Sequence, residues 1–172
     1  MKTPAKKTLY IVQGGIIAAL YVALTYVSNI FGLAYNAIQF RVSEALMVLP
    51  VYTPAAIPAL AIGCFISNLT SPYGVWDMAF GTLATLLSAI AVRLLRKIRV
   101  KNLPILAPIP TVLINAIVVG LEIVLLSGTP SISLFIISAL EVGAGELVVC
   151  VLIGYPLCVL CEKTGIMSKG LK

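Results

Sequence analysis

The chain alternates between long apolar stretches and short polar or charged breaks. A helix needs about 20 apolar residues to cross a hydrocarbon core about 30 Å thick, so long uncharged runs predict membrane-spanning helices. Residues 8–40, 45–76, 102–121 and 123–140 contain no Asp, Glu, Lys or Arg, and 78–92 and 147–161 are shorter runs of the same kind. Almost the whole chain is therefore predicted to lie in a membrane.

Prolines divide the second long run. Pro50, Pro54 and Pro58 interrupt it, and proline breaks a helix because it lacks an N–H donor and its ring clashes with the preceding turn. The pattern predicts an all-α, polytopic bundle in one domain, residues 1–172. Its six spans are expected near 9–31, 38–50, 55–71, 76–95, 104–126 and 132–160. The second is short for a full crossing, so it can dip or tilt instead.

The basic residues orient this bundle. Cytoplasmic loops of membrane proteins carry an excess of Lys and Arg. Eleven of the twelve basic residues fall in three clusters: Lys2, Lys6 and Lys7; Arg93, Arg96, Lys97, Arg99 and Lys101; and Lys163, Lys169 and Lys172. Both termini are therefore predicted to be cytoplasmic, in a multi-pass protein of the cell membrane. Short clusters without interleaved aromatics do not indicate a nucleic-acid partner.

Composition excludes several functional classes. With 60% apolar and 10% charged residues and a mean hydropathy of +1.10, the chain is not a soluble domain. It has no histidine and no phosphate-binding GxxxxGK[ST] loop. We predict no enzyme activity of its own, no ATP hydrolysis, no metal and no cofactor. The four cysteines (Cys64, Cys150, Cys158 and Cys161) all lie in apolar segments and are interpreted as small apolar side chains.

Four glutamates lie where lipid alone would not tolerate them. An ionised side chain at the bilayer centre costs about 2.5–3.5 kcal/mol, so such residues usually mark sites or pathways. They are Glu44, Glu122, Glu141 and Glu146. Arg41, three residues before Glu44, can form an ion pair with it on one helix face or contact a substrate. The other three have no evident cationic partner, which predicts a ligand that is cationic or rich in N–H groups.

Helical spacing groups further polar candidates. Asn115 and Glu122 are two turns apart, on one face and about 10 Å apart in height. Glu141 and Glu146 are five residues apart, about 140° around the helix, so they do not both point at one spot. Asn68, Trp76 and Asp77 lie near the outer ends of predicted spans. Trp76 is either an interfacial anchor or a platform for a planar ring, and Asp77 either favours a helix N-terminus or binds a ring edge.

A stripe of small residues runs along the first helix. Gly15, Ala19 and Ala23 recur every four residues, which permits another helix to pack closely. On spacing alone, a contact within the bundle is favoured over one with a second subunit.

Two segments carry a family resemblance. The stripe GIIAALYVALTYVS and the segment IQFRVSEALMVLP, with the six-span layout, resemble the substrate-binding (S) subunits of energy-coupling factor (ECF) transporters, and most closely the QueT family. The resemblance implies import of a queuosine precursor, a 7-deazaguanine in its cyano or aminomethyl form. It also implies docking of the Gly15, Ala19 and Ala23 stripe against a transmembrane coupling subunit, with two ATPase subunits as the motor.

Under this interpretation each candidate has a role. Glu122, Glu141 and Glu146 accept the substrate N–H groups. Asn68 and Asn115 bind the remaining edge, Trp76 the ring face, and Arg41 with Glu44 holds the first external loop. Three alternatives remain at this point: an S subunit for another vitamin, a stand-alone proton-coupled carrier of a small polar or cationic solute, and an intramembrane enzyme that uses paired carboxylates on a lipid.

Overall fold

The computed structural model describes residues 4–35, 39–100 and 103–164. Apart from one isolated bridge between Val100 and Leu103, the regular structure of these residues is helical. Lys2, Lys101, Lys169 and Lys172 of the basic clusters, and the first residue of the predicted 38–50 span, lie outside the described residues. The helices are α1 (Pro4–Ile30), a 3-10 helix (Val42–Val51), α2 (Ala56–Ser67), α3 (Val75–Leu94), α4 (Pro108–Leu126), α5 (Ile132–Val149) and α6 (Tyr155–Thr164).

Each predicted span coincides with a helix, so the all-α, polytopic fold class is confirmed. Single turns Asn68–Thr70 and Leu95–Lys97 extend α2 and α3, and a π-helical segment, Cys150–Gly154, makes α5 and α6 continuous. Among the described residues, four helices are long and apolar enough to cross a membrane: Lys7–Ile30, Val75–Lys97, Pro108–Leu126 and Ile132–Thr164. The two shorter apolar helices are Val42–Val51 and Ala56–Thr70.

The 3-10 helix forms the interior of the bundle instead of a lipid-facing span. Nine of its ten residues are buried, and it packs against α1, α3, α6 and the π-helical segment. At about 2 Å rise per residue it is roughly 20 Å long, which is shorter than the hydrocarbon core. Its start at Val42 leaves Arg41 before the helix, which decides where the Arg41 side chain can reach.

Close packing of α1 on α2 determines which face of α1 is buried. A Cβ added at Gly63 would lie 2.8 Å from Tyr21 Cβ and 3.1 Å from Ala18 O, so glycine lets α2 approach that face of α1. The opposite face, which carries the Gly15, Ala19 and Ala23 stripe, is exposed. The predicted contact of this stripe within the bundle is therefore wrong, because a different face of α1 is used for internal packing.

Candidate functional site

The buried charges of the described residues are strongly unbalanced. They comprise one base and four acids: Arg41, Glu44, Asp77, Glu122 and Glu146. All five were singled out from the sequence, and the structure brings them into one region between α3, α4, α5 and the 3-10 helix. Asn68 and Asn115 are buried there as well.

A polar face of α1 positions the start of the 3-10 helix. The backbone N–H of Val42, which has no partner within its own helix, donates to Ser28 Oγ at 2.9 Å. Thr25 Oγ1 is 2.8 Å from Ser43 Oγ. One residue further, the Tyr21 hydroxyl donates to Oε1 of Glu44. Three successive residues of the 3-10 helix are thus held by one face of α1, and the Glu44 carboxyl is fixed by the last of these contacts.

Glu44 belongs to a deep group with Asn115 and Glu146. The Asn115 amide interacts with both carboxyl groups, and the two carboxyl groups are close enough to interact with each other. Helix rise explains why these side chains meet: Asn115 lies about 17 Å below the end of α4, and Glu146 lies about 21 Å below the start of α5. Oε2 of Glu44 and Oε2 of Glu146 are buried without a hydrogen-bond partner.

Arg41 pairs with Asp77 and not with Glu44. Its Nη2 is 3.2 Å from Asp77 Oδ2, and both side chains are buried. Its Nε donates to the Ala34 carbonyl oxygen at 2.9 Å, and its guanidinium lies 4.9 Å from the centre of the Tyr35 ring. The predicted Arg41–Glu44 pair is wrong because Arg41 precedes the helix, so the helical spacing of three residues does not apply to it.

Asp77 is held in place from several directions. It lies in the first turn of α3, where the helix dipole favours a carboxylate. The Ser71 hydroxyl donates to its Oδ2 at 2.6 Å, and the Asn68 amide donates to its backbone oxygen at 2.9 Å. Gly81, one turn further along α3, gives the Asn68 amide room, because an added Cβ would lie 2.7 Å from Asn68 Nδ2. The Asn68 side-chain oxygen is left buried without a partner.

A recess opens beside this ion pair. It is lined by Gln39, Tyr73, Asp77, Val119, Glu122, Ile123 and Leu126. Neither oxygen of Glu122 has a hydrogen-bond partner, although the residue is only 2% exposed. Arg41 and Asp77 both lie near enough to interact electrostatically with the Glu122 carboxyl. The free space is about 10 Å³, room for about one water molecule, so a larger solute has to displace lining side chains.

The segment that carries Gln39 and Arg41 rests directly on α5. A Cβ added at Gly145 would lie 2.3 Å from Gln39 O and 3.0 Å from Gln39 C, so only glycine permits this backbone contact. Gly145 immediately precedes Glu146. One short stretch of α5 therefore supplies a deep carboxyl group, Glu146, and a surface, at Gly145, against which the Gln39 backbone packs.

Two predicted site residues are not part of this cluster. Trp76 is 52% exposed and packs on Phe80, with ring centroids 6.0 Å apart, and it does not line the recess. Glu141 is partly exposed and makes no hydrogen bond or ion pair within the described part of the chain. The roles assigned to them in substrate binding remain predictions that their placement does not support.

Sequence reasoning missed Tyr21, Gln39 and Tyr73 as site residues. For Tyr21 a signal was present: Tyr21, Thr25 and Ser28 are spaced by four and three residues, which places their hydroxyl groups on one face of the helix. Gln39 and Tyr73 lie in connecting segments, where periodicity gives no direction for a side chain.

The arrangement is suited to a ligand that donates hydrogen bonds. No group of three or more His, Cys, Asp or Glu side chains within the described ranges could hold a metal ion. The unpartnered atoms of the cluster are oxygens that accept hydrogen bonds: Glu44 Oε2, Asn68 Oδ1, Glu122 Oε1, Glu122 Oε2 and Glu146 Oε2. A solute with several N–H donors satisfies such a set, and leaving it unsatisfied costs free energy.

The apolar helices and the buried polar cluster define an integral membrane protein with a polar interior. The chain belongs to a family of such proteins, the QueT transporter family, whose pattern matches residues 11–163. It is also similar to the queuosine precursor transporter QueT of Lactococcus lactis subsp. cremoris (strain MG1363), with 45% identity over 80 residues. The match covers 46% of this chain and 47% of that protein, so it spans about half of the relative. No solved structure matches the chain.

Proposed function

We propose that the chain is the substrate-capture subunit of an ECF-type importer and that its substrate is a queuosine precursor, a 7-deazaguanine. The observation that carries this proposal is the set of buried, unpartnered carboxyl oxygens of Glu44, Glu122 and Glu146. Family membership and the name of the Lactococcus lactis relative give the ligand class.

The edge of a guanine ring matches these acceptors. Its N1–H and N2–H groups donate in parallel, as two hydrogen bonds that one carboxylate can accept. The deep group, Glu44, Asn115 and Glu146, combines two carboxyl groups with an amide that can both donate and accept. We assign the guanine edge to this group. Asn68, whose oxygen is also free, takes a further donor near the Arg41–Asp77 pair.

The site faces the outside of the cell in this proposal. The three basic clusters place both termini and the segment after α3 in the cytoplasm. The turn between α4 and α5 is then external, and Glu122 is about one helical turn from it. The substrate enters from this end of the bundle.

The exposed stripe on α1 supports a coupling partner. Gly15, Ala19 and Ala23 lie on one exposed face, and an added Cβ at Gly15 meets nothing within 4 Å. Small residues let a helix of another subunit approach closely in a membrane. The partner in this proposal is the transmembrane coupling subunit, with two cytoplasmic ATPases supplying the energy. The chain itself is not an enzyme: capture and reorientation of the bundle require no chemistry on the substrate.

Calorimetry on the purified protein in detergent tests the proposal. We expect saturable binding of 7-deazaguanines and none of riboflavin, thiamine or biotin. Replacing one deep carboxyl group, Glu146→Gln, should weaken binding. The matched control is Glu162→Gln, which removes a carboxylate near the C-terminal end of α6, where it pairs with Arg99. Absence of deazaguanine binding, or equal weakening in both variants, contradicts the proposed site.

Co-purification separates the subunit from a stand-alone carrier. The proposal predicts that the tagged chain, expressed together with the coupling and ATPase subunits of its own organism, retains the coupling subunit through purification. It also predicts no substrate uptake by vesicles that contain this chain alone. Protonophore-sensitive uptake by such vesicles contradicts the subunit role and favours a proton-coupled carrier.

A further inference from the structure

We infer that the site selects a substrate that carries a positive charge next to the guanine-like ring, so that the aminomethyl form binds more tightly than the cyano form. This inference rests on the proposed function and specifies the substrate of the same site. Its basis is the charge balance and the hydrogen-bonding character of the buried residues.

The only buried cation of the described residues is already engaged. Arg41 donates to Ala34 O and to the carboxylate of Asp77, and its face covers the Tyr35 ring. The charges of Arg41 and Asp77 therefore neutralise each other. Glu44, Glu122 and Glu146 remain without a cationic partner at hydrogen-bonding distance. A buried carboxylate without a counter-charge is costly in a low-dielectric bundle, and a cation supplied by the ligand removes part of that cost.

The unpartnered atoms of the cluster are all hydrogen-bond acceptors. Eight buried side-chain atoms of the described residues lack a hydrogen-bond partner, and five of them are the acceptor oxygens of the cluster. The other three are hydroxyls, of Thr82, Ser88 and Thr111. Among the described residues, no buried side-chain N–H group is left without a partner. A primary ammonium brings three donors and no acceptor, whereas a nitrile brings only an acceptor and therefore satisfies none of these five oxygens.

Glu122 is the residue assigned to the ammonium group. Both of its oxygens are free, and it lines the recess beside Asp77. Asn115 of the deep group lies seven residues earlier on the same helix, about 10 Å deeper along α4. A ligand with donors at both ends can therefore place its guanine edge in the deep group and its charged substituent at Glu122.

Wild-type protein and ligands that differ at one position test the charge preference. The aminomethyl and hydroxymethyl derivatives of 7-deazaguanine have the same number of heavy atoms, but only the amine is charged near neutral pH. By calorimetry we expect the aminomethyl form to bind at least about tenfold more tightly than the hydroxymethyl and cyano forms, which corresponds to about 1.4 kcal/mol. Equal affinities for all three overturn the inference while leaving the proposed function intact, and failure of all three to bind contradicts the proposed function itself.

A variant tests the assignment to Glu122. Glu122→Gln keeps the size of the side chain and removes its charge, so the ratio of aminomethyl to hydroxymethyl affinity should fall close to one. The ratio should be unchanged in Glu162→Gln, which lies outside the site. If Glu122→Gln binds both ligands and keeps the full preference, the inference is wrong. Should that variant not fold, the comparison of the three ligands on wild-type protein still decides the charge preference.

Discussion

Arg41 and Asp77 form a buried ion pair at 3.2 Å although they are 36 residues apart in the chain. The pair joins the segment before the 3-10 helix to the first turn of α3. Each partner has further hydrogen bonds, Arg41 to Ala34 O and Asp77 to the Ser71 hydroxyl. The contact therefore fixes two walls of the recess relative to each other and places Glu122 in the field of both charges.

Asp77→Asn should destabilise the protein strongly. It leaves the Arg41 guanidinium buried without its ion-pair partner, and loss of one partner of a buried pair typically costs about 3–5 kcal/mol. Chemical and thermal unfolding of the purified protein in detergent measures this change. The matched control is Glu162→Gln, whose pair with Arg99 is 30–36% exposed. Exposed pairs contribute about 0–1 kcal/mol, so a similar effect of both variants contradicts the structural role of the Arg41–Asp77 pair.

Removal of both charges should recover much of that loss. In the double variant Arg41→Met, Asp77→Leu, neither an unpaired cation nor an unpaired anion remains, and such apolar replacements are often neutral or stabilising. We expect the double variant to unfold at a higher temperature than Asp77→Asn. A double variant that is less stable than Asp77→Asn contradicts this expectation. It would show that the lost hydrogen bonds to Ser71 and Ala34 O outweigh the removal of the unpaired charge.

Tyr21→Phe should destabilise the protein without changing its packing volume appreciably. The Tyr21 hydroxyl is the donor to Glu44 Oε1, and Oε2 of the same carboxyl has no partner. Without Tyr21 the Glu44 carboxyl loses this bond, which costs about 1–3 kcal/mol for a buried acceptor. Unfolding measurements check this, with Tyr26→Phe as the control, because Tyr26 is 36% exposed on another face of α1. Equal stability of both variants contradicts the role of Tyr21.

Hydropathy and proline placement predicted all six helical segments, because lipid imposes a length and a composition that are visible in one sequence. The cost of charge in lipid likewise singled out four glutamates, of which the structure buries Glu44, Glu122 and Glu146. These are constraints that act on each segment separately. They do not depend on how the helices are arranged.

The ion-pair partner of Arg41 and the buried face of α1 could not be predicted in the same way. Arg41 pairs with Asp77 instead of Glu44 because the 3-10 helix begins one residue later, and helix boundaries are not fixed by periodicity to that accuracy. The Gly15, Ala19 and Ala23 stripe is exposed because Gly63 lets α2 pack on the opposite face of α1. The face of α1 that is buried is therefore decided by its contact with α2. The sequence of either helix alone does not reveal that contact.

The sequence interpretation and the structure differ in the role that they give to Glu141. The sequence placed both in the binding site, whereas only Glu146 is buried in the cluster. Glu146→Gln should weaken deazaguanine binding by about 10–100-fold, because a charged acceptor is lost from a buried hydrogen bond worth about 1.5–3 kcal/mol. Glu141→Gln should bind like wild type in the same calorimetric titration. A larger loss in Glu141→Gln than in Glu146→Gln contradicts the site described by the structure.

Gly145→Ala should disturb both stability and binding. The added methyl group would lie 2.3 Å from Gln39 O, a backbone atom, so the segment that carries Gln39 and Arg41 must shift. Overpacking of this kind costs about 1–3 kcal/mol. Gly143→Ala, on the same helix, is the control: its methyl group would meet Ala116 Cβ at 3.4 Å, an ordinary contact. Unfolding temperature and deazaguanine affinity should both fall for Gly145→Ala and change little for Gly143→Ala.

Ala19→Leu should leave the isolated protein intact and prevent its assembly with a coupling subunit. Ala19 is exposed in the centre of the small-residue stripe on α1, so a larger side chain meets no neighbour within the bundle and its unfolding temperature should not change. In a helix–helix contact that depends on small residues, the same side chain keeps the two backbones apart. Co-purification with the coupling subunit measures the effect. Ala144→Leu, also exposed but on α5, adds the same apolar bulk at a different surface and should assemble normally. Loss of assembly in both variants would indicate a general effect of surface bulk. Normal assembly of Ala19→Leu would contradict docking through the stripe, because the substitution blocks close approach wherever that face is used.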